Sequence, residues 1–535
     1  MADRPWWKEG VIYQIYPRSF ADSNGDGVGD LRGIISKLDH LRGGEGSLGV
    51  DAIWLSPFYP SPMADFGYDV SDFTGVHELF GTMDDFDALV AEAHGRGMRV
   101  VIDWVPNHTS DRHPWFVASR SGRDDPKRDW YVWRDPADDG GPPNNWSSAF
   151  SAVGPAWTLD EATSQYYLHS FMAEQPDLNW DNPEVEAAMH DTLRFWLDRG
   201  VDGFRIDVAH KIGKDPELSD NPADIDESTA HEPERRHDED WDSGHERLRS
   251  IRKLVDEYDD RMIVGEVYLL DQQTLSDYIN TGDELNLAHN FVFLHQPWNA
   301  SAFRDTVEQL EGLITPLAWP AWFLNNHDHS RVATRYAEAG NGAARARTAA
   351  LMTLTLRGTV FLFQGEELGL EDVEVPSDQV VDVDGRDPER CPIPWEPPSA
   401  AGAGAGFSNG EPWLPMTTDA ERVNARVQSE DPGSTLSFYR RLIAYRKATP
   451  ALQMGSWRAV AAGDDIFAYV REAGGERLLI ALNFTSEVAH LDGRPAGLDG
   501  AARAELSTDP GRDGDEILLH DIELRPDEGV VIRLP

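Results

Sequence analysis

Short apolar runs alternate with longer amphipathic stretches from Gly10 to Thr449. Gly10-Val-Ile-Tyr-Gln-Ile-Tyr16, Ala52-Ile-Trp-Leu-Ser56, Arg99-Val-Val-Ile-Asp-Trp104 and Gly203-Phe-Arg-Ile-Asp-Val208 each read as a strand. Met262-Ile-Val-Gly-Glu266, Leu287-Ala-His-Asn-Phe291, Trp322-Phe-Leu-Asn-Asn326 and Thr359-Val-Phe-Leu-Phe363 continue the series. Helical patterns lie between them, as at residues 83–97, 185–200 and 343–356. Near-continuous apolar strands separated by helices predict a parallel sheet covered on both faces. Eight such units predict an α/β chain built on a closed (β/α)8 TIM barrel.

Two interruptions shape the domain plan. An aromatic-rich interval from His108 to Asp177, holding Trp130, Tyr131, Trp133, Trp146 and Trp157, predicts a small inserted domain after the third strand. Past the helical pattern that Pro450 ends, short alternating runs predict a C-terminal antiparallel β-sandwich. The plan is thus a barrel over 1–107 and 177–452, an insertion over 108–176 and a C-terminal domain over 453–535. The stretch from Asp215 to Glu246 carries thirteen acids and few apolar residues, and reads as a solvated surface loop.

Charge narrows the function. Asp and Glu number 94 against 48 Lys and Arg, a net charge of −46, which argues against nucleic acid and anionic membranes as partners. That acidity fits a solvated surface or adaptation to high salt. The single cysteine, Cys391, cannot form an internal disulfide or a cysteine-rich zinc site. No basic leader followed by an apolar run opens the chain, and no stretch of ~18 apolar residues occurs, so the expectation is a soluble cytoplasmic protein.

A (β/α)8 barrel presents its chemistry at the C-terminal ends of the strands. Asp103 ends the third strand, Asp207 the fourth, two residues after Arg205, and Glu266 the fifth. Asp328 follows the seventh within Asn326-His-Asp-His-Ser-Arg331. One acid at a strand end is commonly a helix cap. Four converging acids suit glycoside hydrolysis, where one carboxyl holds a proton and another stays ionised. Arg205 should keep Asp207 ionised, and the apolar Met-Ile-Val before Glu266 should raise the latter.

These motifs resemble glycoside hydrolase family 13, the α-amylase family, within its α-glucosidase and oligo-1,6-glucosidase branch. The likeness runs from Tyr13-Gln-Ile-Tyr-Pro-Arg-Ser-Phe20 through Asp103-Trp-Val-Pro-Asn-His108, Gly203-Phe-Arg-Ile-Asp207, Gly265-Glu266, Asn326-His-Asp328 and Gln364-Gly-Glu-Glu367. Gln175-Pro-Asp-Leu-Asn179 resembles a motif of the oligo-1,6-glucosidase group. The resemblance implies that Asp207 is the nucleophile, Glu266 the general acid and base, and Asp328 the transition-state stabiliser. It implies that His108, Arg205 and His327 surround the first sugar subsite, that Asp65 and Tyr68 close it, and that Phe150 gives it an apolar wall. Arg386 or Arg390 supplies an arginine to the glucose hydroxyls. The implied activity is a retaining exo-α-glucosidase acting on short α-glucosides, with carboxyls about 5–5.5 Å apart and a covalent intermediate that also admits transfer to a sugar. The alternative is a sucrose- or trehalose-acting glucosyltransferase or isomerase of the same family. Val208 resembles the α-1,6-specific members, whereas Ala209 and His210 depart from their pattern, so linkage stays open. The substrate is a small oligosaccharide, taken by a monomer or homodimer that needs no organic cofactor.

One further loop draws attention. Asp22, Asn24, Asp26, the Val28 carbonyl and Asp30 offer oxygens at alternate positions, the spacing of a calcium loop or of a polar turn. The resemblance implies a structural calcium or magnesium ion there.

Overall fold

The structure is a computed structural model that describes residues 5–222 and 236–535. Strands β1 (Val11–Ile15), β2 (Ala52–Leu55), β3 (Arg99–Trp104), β4 (Gly203–Ile206), β5 (Met262–Gly265), β6 (Leu287–Ala288), β7 (Ala321–Trp322) and β8 (Thr359–Phe363) form one parallel sheet. Its order, β7-β8-β1-β2-β3-β4-β5-β6, is that of a near-closed barrel. Helices follow each strand: α1 (Leu31–Leu41), α2 (Met83–Gly95), α3 (Pro183–Asp198), α4 (Asp242–Val255), α5 (Gln272–Asn280), α6 (Ala300–Leu313), α7 (Gly342–Thr355) and α8 (Thr435–Ala448). Local chemistry fixes their starts. Thr82 and Asp85 form a reciprocal capping box on α2, and Asn182 caps α3 ahead of Pro183.

The period of two along each strand sorts side chains to opposite faces. Val11, Tyr13, Ile53, Val100, Ile102, Phe204 and Ile263 pack outward with the helices. Ile12, Trp54, Val101, Val264, Leu287 and Phe361 fill the barrel interior. Two residues further along that inner row stand Gln14, Ser56, Asp103, Glu266 and His289, all but Glu266 fully buried. An apolar plug below and a polar layer above it are therefore written in the same alternation.

Strands six and seven are shorter than the sequence predicts. Asn290 caps a helical turn through Phe293 N at 2.9 Å, and Asn326 Oδ1 accepts from Asp328 N at 2.9 Å. Both asparagines divert the backbone from the ladder by side-chain hydrogen bonds.

Between β3 and α3, residues 133–134, 157–160 and 165–168 form a three-stranded antiparallel sheet. Lys214 ties it to the barrel: its Nζ lies 2.9 Å from Asn107 Oδ1, 2.7 Å from Lys211 O and 3.0 Å from Asp177 Oδ2. After α8 come a six-stranded antiparallel sheet and a two-stranded one, packed over Leu479, Ala481, Leu491, Ile522 and Ile532. Gly474 and Gly475, both at positive φ, make the two-residue turn that joins residues 466–473 to 476–483. Buried Arg471, on the strand 466–473, welds this sheet to the barrel, and buried Arg446, on α8, fastens the same place from within the barrel. Arg471 donates to Thr355 O at 2.5 Å and Gly455 O at 3.1 Å, and Arg446 to Leu354 O at 2.7 Å and Gly358 O at 2.6 Å. They satisfy carbonyls at the C-terminal end of α7.

Candidate active site

The polar layer converges on Arg205, which is 1% exposed. Its Nη1 donates to Asp103 Oδ1 and Asp207 Oδ1, both at 2.7 Å, and its Nη2 to Glu266 Oε2 at 2.5 Å. Three strands thus deliver three carboxylates to one guanidinium. Burial first, and their surplus negative charge second, raise Asp207 and Asp103. Burial pushes the Asp207 carboxyl well above its ordinary range, with Glu266 and Asp103 reinforcing it and Arg205 offsetting only part. Burial likewise brings Asp103 to about 6 despite Arg205. The expectation that Arg205 would single out Asp207 as the ionised acid is therefore corrected, because the guanidinium is shared three ways.

The residue after Asp207 is strained. Val208 adopts φ 36° and ψ 51°, a left-handed conformation that a β-branched side chain disfavours. It aims its N–H at Glu266 Oε2, 3.2 Å away.

Asp328 stands in the opposite setting. Arg386 Nη1 lies 3.1 Å and Arg390 Nη2 2.9 Å from its Oδ1, and His327 Nε2 lies 3.1 Å from its Oδ2. Burial opposes its charge, yet His327, Arg386 and Arg390 together hold the carboxyl well below the usual range. Gln14 Nε2 meets His327 Nδ1 at 2.8 Å, which assigns the ring proton to Nε2, facing Asp328 and the Tyr68 hydroxyl at 2.6 Å. Burial keeps His327 neutral. Tyr68 stacks on His327 at 5.4 Å.

A second ionic string closes one side. Arg386 Nη2 reaches Asp65 Oδ1 at 2.7 Å, Asp65 Oδ2 accepts from Gln175 Nε2 at 3.0 Å, and Gln175 Nε2 lies 3.1 Å from His108 Nε2. Burial lowers His108 to about 4, so its imidazole is neutral. The Arg386 guanidinium lies 5.0 Å above the Phe150 ring. Asp65, Tyr68, His108, Phe150, Arg205, His327, Arg386 and Arg390 accordingly join Asp207, Glu266 and Asp328 in one cluster. Both arginines touch Asp328, and Arg386 alone also reaches Asp65.

Several members of the cluster escaped the sequence reading. Asp382 clamps Arg386 through Nη2 at 2.6 Å and Arg390 at 3.2 Å. Its one sequence signal is the i, i+4 spacing to Arg386. Asp69 shapes the 61–69 loop by accepting from Ser61 Oγ, Ala64 N and Asp65 N. Gln14 lies on the inner face that β1 alternation marks.

The loop of residues 22–30 lies outside this cluster. Asp22 accepts from Asn24 N, Gly25 N, Gly27 N and Ser408 Oγ, Asn24 from Asp26 N, and Asp26 from Val28 N. Asp30 caps α1 through Gly33 N at 2.7 Å. Burial opposes the Asp22 charge, but Ser408 and the loop amides hold its carboxyl below the ordinary value. Among the described residues no three His, Cys, Asp or Glu side chains converge as a metal cage. In kind, the set of carboxylate, amide and carbonyl oxygens suits a hard cation.

The acidic stretch after β4 is only partly solvated. Asp215 and Asp238 are buried, while residues 223–235 lie outside the described residues. No helix among the described residues is long and apolar enough to cross a membrane.

The alpha-amylase catalytic-domain family model matches residues 14–455. A probable alpha-glucosidase of Rhizobium meliloti (strain 1021) is 42% identical over 515 residues, 91% of each chain. An oligo-1,6-glucosidase of Parageobacillus thermoglucosidasius is 38% identical over 526 residues, again 91% of each. The crystal structure of an alpha-glucosyl transfer enzyme superposes with a TM-score of 0.91 at 40% identity, covering 100% of both chains.

Proposed function

The chain belongs to the α-amylase family and is a glycoside hydrolase; we propose that it is a retaining, exo-acting α-glucosidase releasing α-glucose from the non-reducing end of short α-glucosides. The observation that carries this reading is the seating of Asp207 and Glu266 on the two terminal nitrogens of Arg205. Carboxyls held side by side leave no room for the intervening water of an inverting enzyme.

Asp207 attacks the anomeric carbon as the bond to the leaving oxygen breaks, and Glu266 gives that oxygen its proton. Arg205, bonded to both carboxyls, holds the two in register for this exchange. Asp328, kept ionised by its arginines, binds sugar hydroxyls as the ring flattens toward an oxocarbenium ion. Glu266 then takes a proton from water, whose oxygen displaces Asp207 and yields α-glucose. An acceptor hydroxyl in place of that water gives transglucosylation. The Asp65–Arg386 pair, backed by Gln175 and Phe150, supports a site closed beyond the terminal glucose.

A second reading, a sucrose- or trehalose-acting glucosyltransferase or isomerase, is favoured by the full-length likeness to an alpha-glucosyl transfer enzyme. A product time course on equal maltose, isomaltose, sucrose and trehalose, with wild type and Asp207→Asn, separates the two. Early α-glucose that vanishes in the variant is expected. Isomerised or transferred products without free glucose would favour the second reading, and turnover of none would overturn both.

We further assign the loop of Asp22, Asn24, Asp26, the Val28 carbonyl and Asp30 to a structural calcium or magnesium ion. It would stiffen the segment between β1 and α1 and take no part in the chemistry. A fall in Tm on chelation, restored by calcium or magnesium and absent in Asp26→Ala, is the expected result, and an unchanged Tm would overturn it. The single buried Cys391 supports a cytoplasmic setting, and sedimentation should find a monomer or homodimer.

A further inference from the structure

We propose that residues 236–240, within the acidic stretch after β4, form a brace that holds the strained turn behind Asp207, with Lys211 and Glu239 as its positioning residues. The turn needs holding. Val208 stands in the left-handed region at φ 36°, where a β-branched residue does not rest unaided. Its conformation has a use at the site. Val208 N donates to Glu266 Oε2 at 3.2 Å, and Ala209 N to Glu266 O at 2.9 Å, so the turn seats the end of β4 against the end of β5.

What grips the turn comes from the far side. Lys211 is 7% exposed, and its Nζ lies 2.8 Å from Glu239 Oε2 and 3.3 Å from Asp238 Oδ2. Asp240 N donates to His210 O at 2.7 Å, a backbone clasp one residue away. Asp238 is anchored in turn by Asn221 Nδ2 at 2.8 Å and Arg236 Nε at 3.2 Å. Close backbone approach completes the seat: a Cβ at Gly213 would lie 2.1 Å from Gly244 N in the first turn of α4. Among the described residues, the hydrogen bonds and ion pairs of Glu239 and Lys211 lead to Arg236, Asp238, His210, Lys214, the turn and each other, and none to Asp328, Arg386 or Asp65. A buried lysine shared by two carboxylates loses much hydration and is weak evidence for stability by itself. Holding a backbone conformation that the sequence would otherwise leave gives it a purpose.

The proposal rests on the α-glucosidase reading for its kinetic assay, and one arm of the test does not. Initial rates on isomaltose and maltose are compared for wild type, Glu239→Gln, Lys211→Met and Lys211→Arg. The first two variants should lose about ten-fold or more in kcat with KM nearly unchanged, and Lys211→Arg should recover most of it. The deciding comparison uses Val208→Gly, because glycine enters the left-handed region freely. In that background Glu239→Gln should cost under about three-fold in kcat. An equal loss in both backgrounds, or losses that follow Tm alone, would overturn the brace. Amide exchange at residues 208–211 needs no substrate: faster exchange in Glu239→Gln supports the proposal and unchanged exchange refutes it. Wild type inactive on every α-glucoside would sink the function and leave this last arm to judge the brace.

Discussion

Asp207 and Glu266 share one guanidinium, with Arg205 Nη1 2.7 Å from Asp207 Oδ1 and Nη2 2.5 Å from Glu266 Oε2. Neither carboxylate can be considered alone. With Asp103 on the same arginine, three negative groups face one positive one, and burial together with that crowding raises the Asp207 carboxyl. The acid limb of kcat/KM should therefore lie above the ordinary carboxylate range, as activity rises with the ionisation of Asp207. An acid limb at the ordinary carboxylate value would contradict the raised Asp207.

Asp207→Asn should abolish turnover and also stabilise the fold. The loss should be about 10⁴-fold or more, as for other nucleophile deletions. The sign of the stability change comes from the raised Asp207 carboxyl. A folded-state value above the unfolded one gives stability that is complete below the unfolded value and lost as pH rises through the folded value. At pH 8 the wild type bears that loss and the amide does not. Calorimetry should find a higher Tm for the variant at pH 8 and a smaller difference at pH 4.

Arg386 and Arg390 should not tolerate the same changes. Arg386→Met leaves Asp65, Asp328 and Asp382 short of a cation, and breaking such buried pairs costs about 3–5 kcal/mol. Arg390→Met leaves Asp65 paired with Arg386. Both variants should lower kcat/KM by about 10²-fold or more, through Asp328. Only Arg386→Met should also weaken glucose as an inhibitor, because it alone loosens Asp65. Equal effects on glucose binding would refute the division.

His245 gives the fold an alkaline weakness. It bridges Glu284 Oε2 at 2.8 Å and Asp240 Oδ1 at 3.3 Å, with Tyr278, Arg249 and Arg252 around the same acids. Burial opposes its charge, but the hydrogen bonds to Asp240 and Glu284 raise it to about 9. That stability is complete below the ordinary histidine value and is lost as pH rises toward about 9. Thermal melts from pH 6 to 10 should show a drop in Tm that His245→Gln flattens.

The barrel was legible because alternation and chemistry coincide in each strand. Ile12 with Gln14, Val101 with Asp103 and Val264 with Glu266 each read as an apolar residue followed, two places on, by a polar one at the strand end. Strands β6 and β7 read too long, since Asn290 and Asn326 act through side chains that periodicity does not see. Asp207 and Glu266 stood out because each directly follows a strand, whereas Asp328 lies in the turn beyond β7 and was marked by its Asn-His-Asp motif. Asp382 did not stand out, since it reaches Arg386 from an irregular loop where no period sets direction. The acidic segment after β4 misled for a similar reason: composition records charge but not the buried Lys211 that partners it.

Arg471 carries a consequence for recombination. The Thr355 carbonyl at the end of barrel helix α7 is answered by a guanidinium that belongs to a different sheet, whereas Leu354 O is answered within the barrel by Arg446. A chimaera that exchanges the C-terminal sheet for a foreign one loses that partner of Thr355 unless the newcomer brings its own arginine to that spot. Crossovers placed after the 466–473 strand would keep the join, whereas crossovers before it should produce chains that aggregate. The seam between these domains is thus a poor place to cut, however separate the two folds look.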